Sequence, residues 1–241
     1  MITFTTSPHS RIHQLFDERV AQAPDHPFLF MPERVMTLAQ LAQQVNGLEV
    51  ELRDAGVRLG DRVLVAAENC PEHVALVLAC SRVGAWACGV NARMTASELA
   101  GFAAKADARV VYFTVGISAA ARQHADQHTT LPSVLPALQR TPTNTAATAQ
   151  TGALAERVAA IIFTSGTTGQ PKGVMLTHTG LLQFGKISSQ SRQLVSTDRS
   201  YAYLPMTHIF GLGTVLMASL YAGAGLLMRS QFDPTDVFEA L

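Results

Sequence analysis

Cysteine is scarce. Cys70, Cys80 and Cys88 are the only three in 241 residues, too few for a disulfide framework, and no two have the spacing of a zinc or redox motif. Their odd number and apolar neighbours are those of buried, reduced thiols in a cytoplasmic protein. Charge of either sign is in no excess: 18 Lys and Arg balance 18 Asp and Glu, so nothing in the total points to nucleic acid or an anionic membrane. Only 15% of residues are charged against 48% hydrophobic, a balance that suits a large buried core. The opening MITFTTSPHSRIHQLFDERV lacks the basic-then-apolar layout of an export signal. No internal repeat is evident.

From Ala202 to Met228 there is no Asp, Glu, Lys or Arg, a run that approaches the length of a membrane span. Pro205 and His208 interrupt its start, and Gly223 and Gly225 its end. A buried helix from about Gly211 to Tyr221, followed by a turn and a strand, is therefore expected, and no transmembrane segment; a membrane anchor is the alternative.

What is present alternates between helical and strand periodicity. Ser10 is placed to cap a short helix with Ile12, Leu15, Phe16 and Val20 on one face. Thr37 is placed to cap a second with an apolar stripe at Leu38, Leu41, Val45, Leu48 and Leu52, and Gly56 is its stop. DRVLVAAEN then holds a buried strand. Pro71 opens a helix that Gly84 closes, AWACGV is a second strand, Thr95 to Glu98 has capping-box spacing, and RVVYFT is a third strand. Helical crossovers between apolar strands imply an α/β fold with parallel-rich sheets flanked by helices. The signal fades after Gly116, and TPTNTAATAQTGALA reads as a surface linker. The expected division is a first α/β subdomain over 1–140, a linker over 141–156, and the start of a second α/β subdomain over 157–241.

The second subdomain begins with the apolar strand RVAAIIFTS, which runs into IFTSGTTGQPKG; GVMLTH is again strand-like, and Thr177 is placed to cap a following helix. The loop resembles a Walker A loop but fails its spacing, because Pro171 stands where the second glycine belongs. A strand follows it, so no helix dipole is aimed at an anion. Side-chain donors take its place. Thr164, Ser165, Thr167 and Thr168 supply hydroxyls, Gly166 and Gly169 let the backbone turn into an anion-holding nest, and Lys172 adds a mobile positive charge. The alternative is an ordinary Gly/Thr-rich hairpin turn with a solvated lysine.

FTSGTTGQPKGVMLTH resembles the phosphate-binding signature of the adenylate-forming enzymes, which include acyl-CoA synthetases, firefly luciferase and peptide-synthetase adenylation domains. AGVRLGDRVLVAAENCPEHVALVLACSRVGAWACGVNAR is similar to the N-terminal region of that family. YLPMTHIFGL is similar to its next motif, a Pro followed three residues later by a His or aromatic residue. The resemblance implies that Thr164, Ser165, Gly166, Thr167, Thr168 and Gly169 hold the β- and γ-phosphates of ATP and that Lys172 helps to neutralise them. It implies attack of a carboxylate on the α-phosphorus, giving acyl-AMP and pyrophosphate, followed by thioester formation with coenzyme A. His208 would be the catalytic-site histidine lining the acyl pocket beside the carboxylate, with Gly211 shaping that pocket and Phe184 and Met206 as further candidates. Packing is the competing role for Phe184 and Met206, and a core histidine the competing role for His208. Ser165 reads as a ligand, since no G-x-S-x-G elbow surrounds it. His124 and His128 lie four apart but lack the glutamate of H-E-x-x-H, and both are expected on solvated surface; no metal site is expected in this chain. His178 is expected to serve the turn into its helix.

The family's adenine-binding aromatic motif with its Mg2+-binding glutamate, its ribose-binding aspartate and its catalytic lysine have no counterpart in these 241 residues. QFDPTDVFEAL starts a helix that reaches Leu241 without a cap, as expected of an incomplete N-terminal domain. Two readings follow. The chain belongs to a carboxylate–CoA ligase that is active only as a longer protein, or it is a non-catalytic nucleotide-binding or assembly module. Histidine at position 208 and the short stretch before the loop resemble acyl- or aryl-CoA ligases more than peptide-synthetase domains.

Overall fold

The computed structural model describes residues 8–164 and 172–240. Helix α1 (Ile12–Gln22) buries Ile12, Leu15 and Phe16. Its cap position is Arg11, not Ser10, and the Gln14 side chain accepts from the Ser10 and Arg11 amides at 2.8 and 3.1 Å. The Gln14 side chain thus satisfies the two amides ahead of the helix, while in the first turn the Ile12 amide meets His178 Nδ1 and the Gln14 amide donates to Arg11 O. A short hairpin follows, β1 (Pro27–Phe30) with β2 (Val35–Thr37), and leads into α2 (Leu38–Asp54). Thr37 caps α2 as expected: its Oγ1 accepts from the Gln40 amide at 3.2 Å, and Gln40 Oε1 accepts from the Thr37 amide at 2.9 Å. All five residues of the predicted apolar stripe are buried. Gly56, at φ +72°, lies just past the helix end, where a left-handed turn favours glycine.

Strand β3 (Arg62–Ala67), helix α3 (Pro71–Val83), strand β4 (Trp86–Asn91), helix α4 (Ala96–Ala106) and strand β5 (Val110–Phe113) alternate as predicted. Pro71 is the first residue of α3, and Thr95 and Glu98 form the capping box of α4. Helix α5 (Ala119–Ala125), strands β6 (Leu131–Pro132) and β7 (Gln139–Arg140) and helix α6 (Ala153–Arg157) precede β8 (Val158–Thr164). Then come β9 (Lys172–Thr177), α7 (His178–Ser191), β10 (Arg199–Ala202), a π-helix (Phe210–Met217), α8 (Ala218–Ala222), β11 (Gly225–Met228) and α9 (Pro234–Ala240).

The larger sheet has the order β6-β7-β5-β3-β4-β8-β9, parallel from β5 to β8 and antiparallel at both edges. The smaller has the order β10-β11-β1-β2. Each takes strands from both sides of 141–156: β8 and β9 extend the larger sheet, while β1 and β2 complete the smaller. Alternation along β3 divides the core. Val63, Val65 and Ala67 join a cluster with α1, α2, α3 and α7, whereas Leu64 and Ala66 join Leu99 and Phe102 of α4 on the opposite face. A parallel sheet buried on both faces needs this continuous apolar run.

The stretch 141–156 is mostly exposed and is tied to the sheet. Arg62 donates to Thr148 O and Arg109 to Asn144 O, both at 2.8 Å, and the Gln150 amide donates to Gly60 O at 2.9 Å. The helix expected over Gly211 to Tyr221 is instead a π-helix to Met217 followed by one α-helical turn. Its residues are apolar on nearly every side, so periodicity cannot separate the two helix types. Among the described residues no helix is long and apolar enough to cross a membrane.

Cys70, Cys80 and Cys88 are buried and free, and burial pushes all three thiols up, that of Cys88 to about 12. The native protein should therefore be inert to Ellman's reagent at about pH 8 and should release three equivalents in guanidinium. Rapid labelling of the native chain would contradict the burial.

Candidate functional site

Strand β8 carries the apolar run into the loop, and β9 returns antiparallel to it. Thr164 and Lys172 pair at the loop end of this hairpin, where the Thr164 hydroxyl donates to Lys172 O at 3.5 Å and both side chains are exposed. Ser165, Gly166, Thr167, Thr168 and Gly169 lie outside the described residues. Helix α7 begins at the other end of β9, with Thr177 Oγ1 accepting from the Gly180 amide at 3.0 Å. The length of β9, about 20 Å at 3.4 Å per residue, separates the helix N-terminus from the loop. Any grip on an anion at Thr164 and Lys172 is therefore made without that dipole.

The second stretch, residues 203–212, joins β10 to the π-helix. A residue the sequence reading passed over holds it. Asn69, in the turn between β3 and α3, donates through Nδ2 to Ala202 O at 2.9 Å and Leu204 O at 3.0 Å, and its Oδ1 accepts from the Met206 amide at 2.8 Å. The only local signal was its position between a buried strand and Pro71. The Met206 side chain is buried in the core cluster. His208 is exposed; its amide donates to Pro205 O at 2.9 Å, its Nδ1 accepts from the Phe210 amide at 3.3 Å, and its ring stacks on Phe210 with centroids 5.5 Å apart. A Cβ on Gly211 would lie 2.2 Å from Pro205 O, so only glycine fits this bend. Phe184, half-buried on α7, packs on Gly213, where a Cβ would meet its ring at 2.4 Å.

The two stretches converge. Gly89 of β4 pairs with Ile162 of β8, and a Cβ on Gly89 would lie 3.3 Å from Thr207 Cα and 3.0 Å from His73 Nε2. Thr207 thus rests on β4 beside Ile162, two residues and roughly 7 Å of strand from Thr164. His208 follows directly. This is the end of the parallel strands at which open α/β sheets bind ligands. A cleft of about 290 Å³ opens beside it, lined by Glu68, Asn69, Asn91, Arg93, Tyr203 and Thr207, among others. Arg93 Nε lies 2.7 Å from Glu68 Oε1 within it.

Of the other histidines, His73 lies under Gly89 at this convergence, whereas His124, His128 and His178 serve other contacts. His124 is buried, not on solvated surface: its Nε2 lies 3.0 and 2.9 Å from Ala92 O and Met94 O, so it ties α5 to the turn after β4. His128 is exposed and stacks on Phe113. His178 opens α7 as expected; its Nδ1 faces the Ile12 amide at 3.4 Å, and burial, followed by the Arg11 charge, lowers its pKa to about 3. His73 is fully buried, its Nδ1 has no partner, and desolvation lowers it to about 4. Among the described residues no group of three or more His, Cys, Asp or Glu side chains is placed to hold a metal ion.

Residues 16–241 match the family model of the AMP-binding enzymes, and the chain belongs to that family. The curated proteins it is similar to are CoA ligases. It is 31% identical to a methyl-dioxo-octahydroindenyl-propanoyl:CoA ligase of Mycobacterium tuberculosis over 93% of this chain and 48% of that protein. It is 32% identical to a feruloyl-CoA synthase of Amycolatopsis over 86% and 41%, and 32% identical to a sulfoacetate–CoA ligase of Cupriavidus necator over 89% and 44%. The chain spans less than half the length of these relatives. Among solved structures it is similar to the inhibitor-bound N-terminal domain of FACL13 from M. tuberculosis, with 27% identity and a TM-score of 0.76 over 96% of this chain and 60% of that one. ATP-bound MatB from Rhodopseudomonas palustris, at 24% identity and TM-score 0.74 over 94% and 47%, shares the fold. The architecture is that of the N-terminal domain of adenylate-forming enzymes.

Proposed function

We propose that this chain is the nucleotide- and acyl-facing N-terminal part of a cytoplasmic ATP-dependent carboxylate–CoA ligase. The observation that carries this reading is the convergence of the Thr164–Lys172 hairpin and the His208 stretch at one end of the parallel strands. In the reaction, a carboxylate oxygen bonds to the α-phosphorus of ATP as the bond to the β-phosphate oxygen breaks. Pyrophosphate leaves, the thiol of coenzyme A then attacks the acyl carbonyl, and AMP departs. Such chemistry needs placement and charge neutralisation more than a protein nucleophile. Thr164, with Ser165 to Gly169, would hold the outer phosphates, and Lys172 would neutralise them. His208, its ring oriented by Phe210, would face the reacting carboxylate, and Gly211 would give the chain its bend there. Phe184 and Met206 would contribute through packing on which the acyl pocket is built. A carboxylate ligand for Mg2+ would come from outside this chain.

Titration of the 241-residue chain with a fluorescent ATP analogue tests the loop. Binding should weaken about tenfold in Lys172→Ala, the loss of one charge-assisted contact at an exposed site. Equal affinity in the two proteins would remove Lys172 from the role. The same chain should show no carboxylate-dependent pyrophosphate exchange, because the implied ribose-binding aspartate and catalytic lysine are not among its residues. Robust exchange would overturn that part of the reading.

A further inference from the structure

Residues 203–208 run irregularly from the end of β10 at Ala202 toward the π-helix, and Pro205 removes one backbone donor from them. Asn69 meets three polar groups of 202–206 with one side chain. Both of its N–H bonds point at carbonyls, of Ala202 and Leu204, and its oxygen faces the Met206 amide. The reversed amide would set oxygen against oxygen twice and N–H against N–H once, so the geometry selects a single orientation. Asn69 is itself buried. Its partners are 133 to 137 residues away in the chain, so the bonds couple the β3–α3 turn to a distant segment. Thr207, the next residue after the clamp, rests on Gly89, and His208 leaves from there.

We propose that Asn69 is a positioning residue: it holds residues 202–206 so that His208 projects at the end of β8 beside the Thr164–Lys172 pair. The inference rests on the reading of His208 as the residue facing the carboxylate. Aspartate at this position keeps the size and the acceptor for Met206 but replaces Nδ2 and its two N–H donors with one oxygen that faces both carbonyls. Alanine removes all three bonds.

The test uses the 241-residue chain with isotope-labelled histidine, the His208 ring signal being assigned by its loss in His208→Gln. In Asn69→Asp, the ring-current shift that Phe210 imposes on His208 should collapse. Amide exchange over 202–208 should quicken by roughly tenfold or more, while β3 and β8 keep their protection. Asn69→Ala should do the same, and if that variant does not fold the aspartate variant decides. An unmoved His208 signal, or faster exchange spread evenly over the chain, would overturn the proposal and leave Asn69 as ordinary packing. Titration with the ATP analogue separates the two readings. If the unaltered chain ignores the nucleotide but Asn69→Asp still moves His208, the ligase reading fails and the positioning role stands. If the nucleotide binds and His208 does not move, the reverse holds.

Discussion

Arg62→Ala should lower the unfolding free energy by about 3–4 kcal/mol, measured by urea denaturation. Arg62 is buried at the start of β3 and donates to Ala106 O at 2.6 Å, to Gly60 O and Thr148 O at 2.8 Å, and to Asp107 O and Oδ2 at 3.1 and 3.0 Å. Truncation takes the donor from Ala106 O, Thr148 O and Asp107 O, while Gly60 O keeps the Gln150 amide; each fully unsatisfied group costs about 1–3 kcal/mol, and partial rehydration at Thr148 and Asp107 brings the sum down. Arg53→Ala is the comparison. Arg53 pairs with Glu49 at 2.8 Å one helical turn away, but its side chain is 56% exposed, so that change should cost under about 0.5 kcal/mol. A second readout follows from the linker. Thr148 O would lose its donor, leaving only the Thr148 amide's bond to Asp107 Oδ2 at 2.8 Å, and elastase should cut between Thr145 and Gln150 faster in the variant than in the parent. Equal cleavage of the two would mean that Arg62 does not hold the linker.

Local chemistry was legible in the sequence where cause and effect lie within a few residues. Thr37, Thr95 and Thr177 each cap the helix expected of them, because a capping hydroxyl needs only the amide three positions on. The parallel strands around β3 were legible too, since burial on both faces leaves unbroken apolar runs. The failures are non-local. Strand β1 spans four residues, and its partner β11 lies nearly two hundred residues on, with Leu29 facing Leu226, so no window in the sequence contains the pair. His124 sits in an alanine-rich stretch that reads as exposed, yet α5 folds it against the carbonyls of Ala92 and Met94. Asn69 is the same case at the candidate site: its local context suggests a turn, and only the return of residues 202–206 gives it partners. Motif spacing located the hairpin ends and His208, but their approach depends on Gly89 lying under Thr207, a contact between β4 and a segment more than a hundred residues downstream.

Gly211→Ala should be costly for a reason that can be ranked against its neighbours. The new methyl would lie 2.2 Å from Pro205 O, 2.5 Å from Pro205 C and 2.7 Å from Leu204 O, all of them backbone atoms. Side chains rotate away from a clash, whereas a bend of main chain has to be rebuilt. The cost should therefore reach the upper end of overpacking, about 3 kcal/mol. At Gly213 the obstacle is the Phe184 ring at 2.4 Å, which is half-buried and can turn, so about 1 kcal/mol is expected. At Gly101, exposed on α4 with nothing within 4 Å, alanine should stabilise by about 0.5–1 kcal/mol through its higher helix propensity. Urea midpoints of the three variants give the order directly. The Leu204–Pro205 bend is also the segment that Asn69 grips, so Gly211→Ala pushes from one side on what Asn69 holds from the other. Combined with Asn69→Asp it should be less destabilising than the two costs added, because a bend already released has less left to lose. Strict additivity would show that the two residues act on separate parts of the fold.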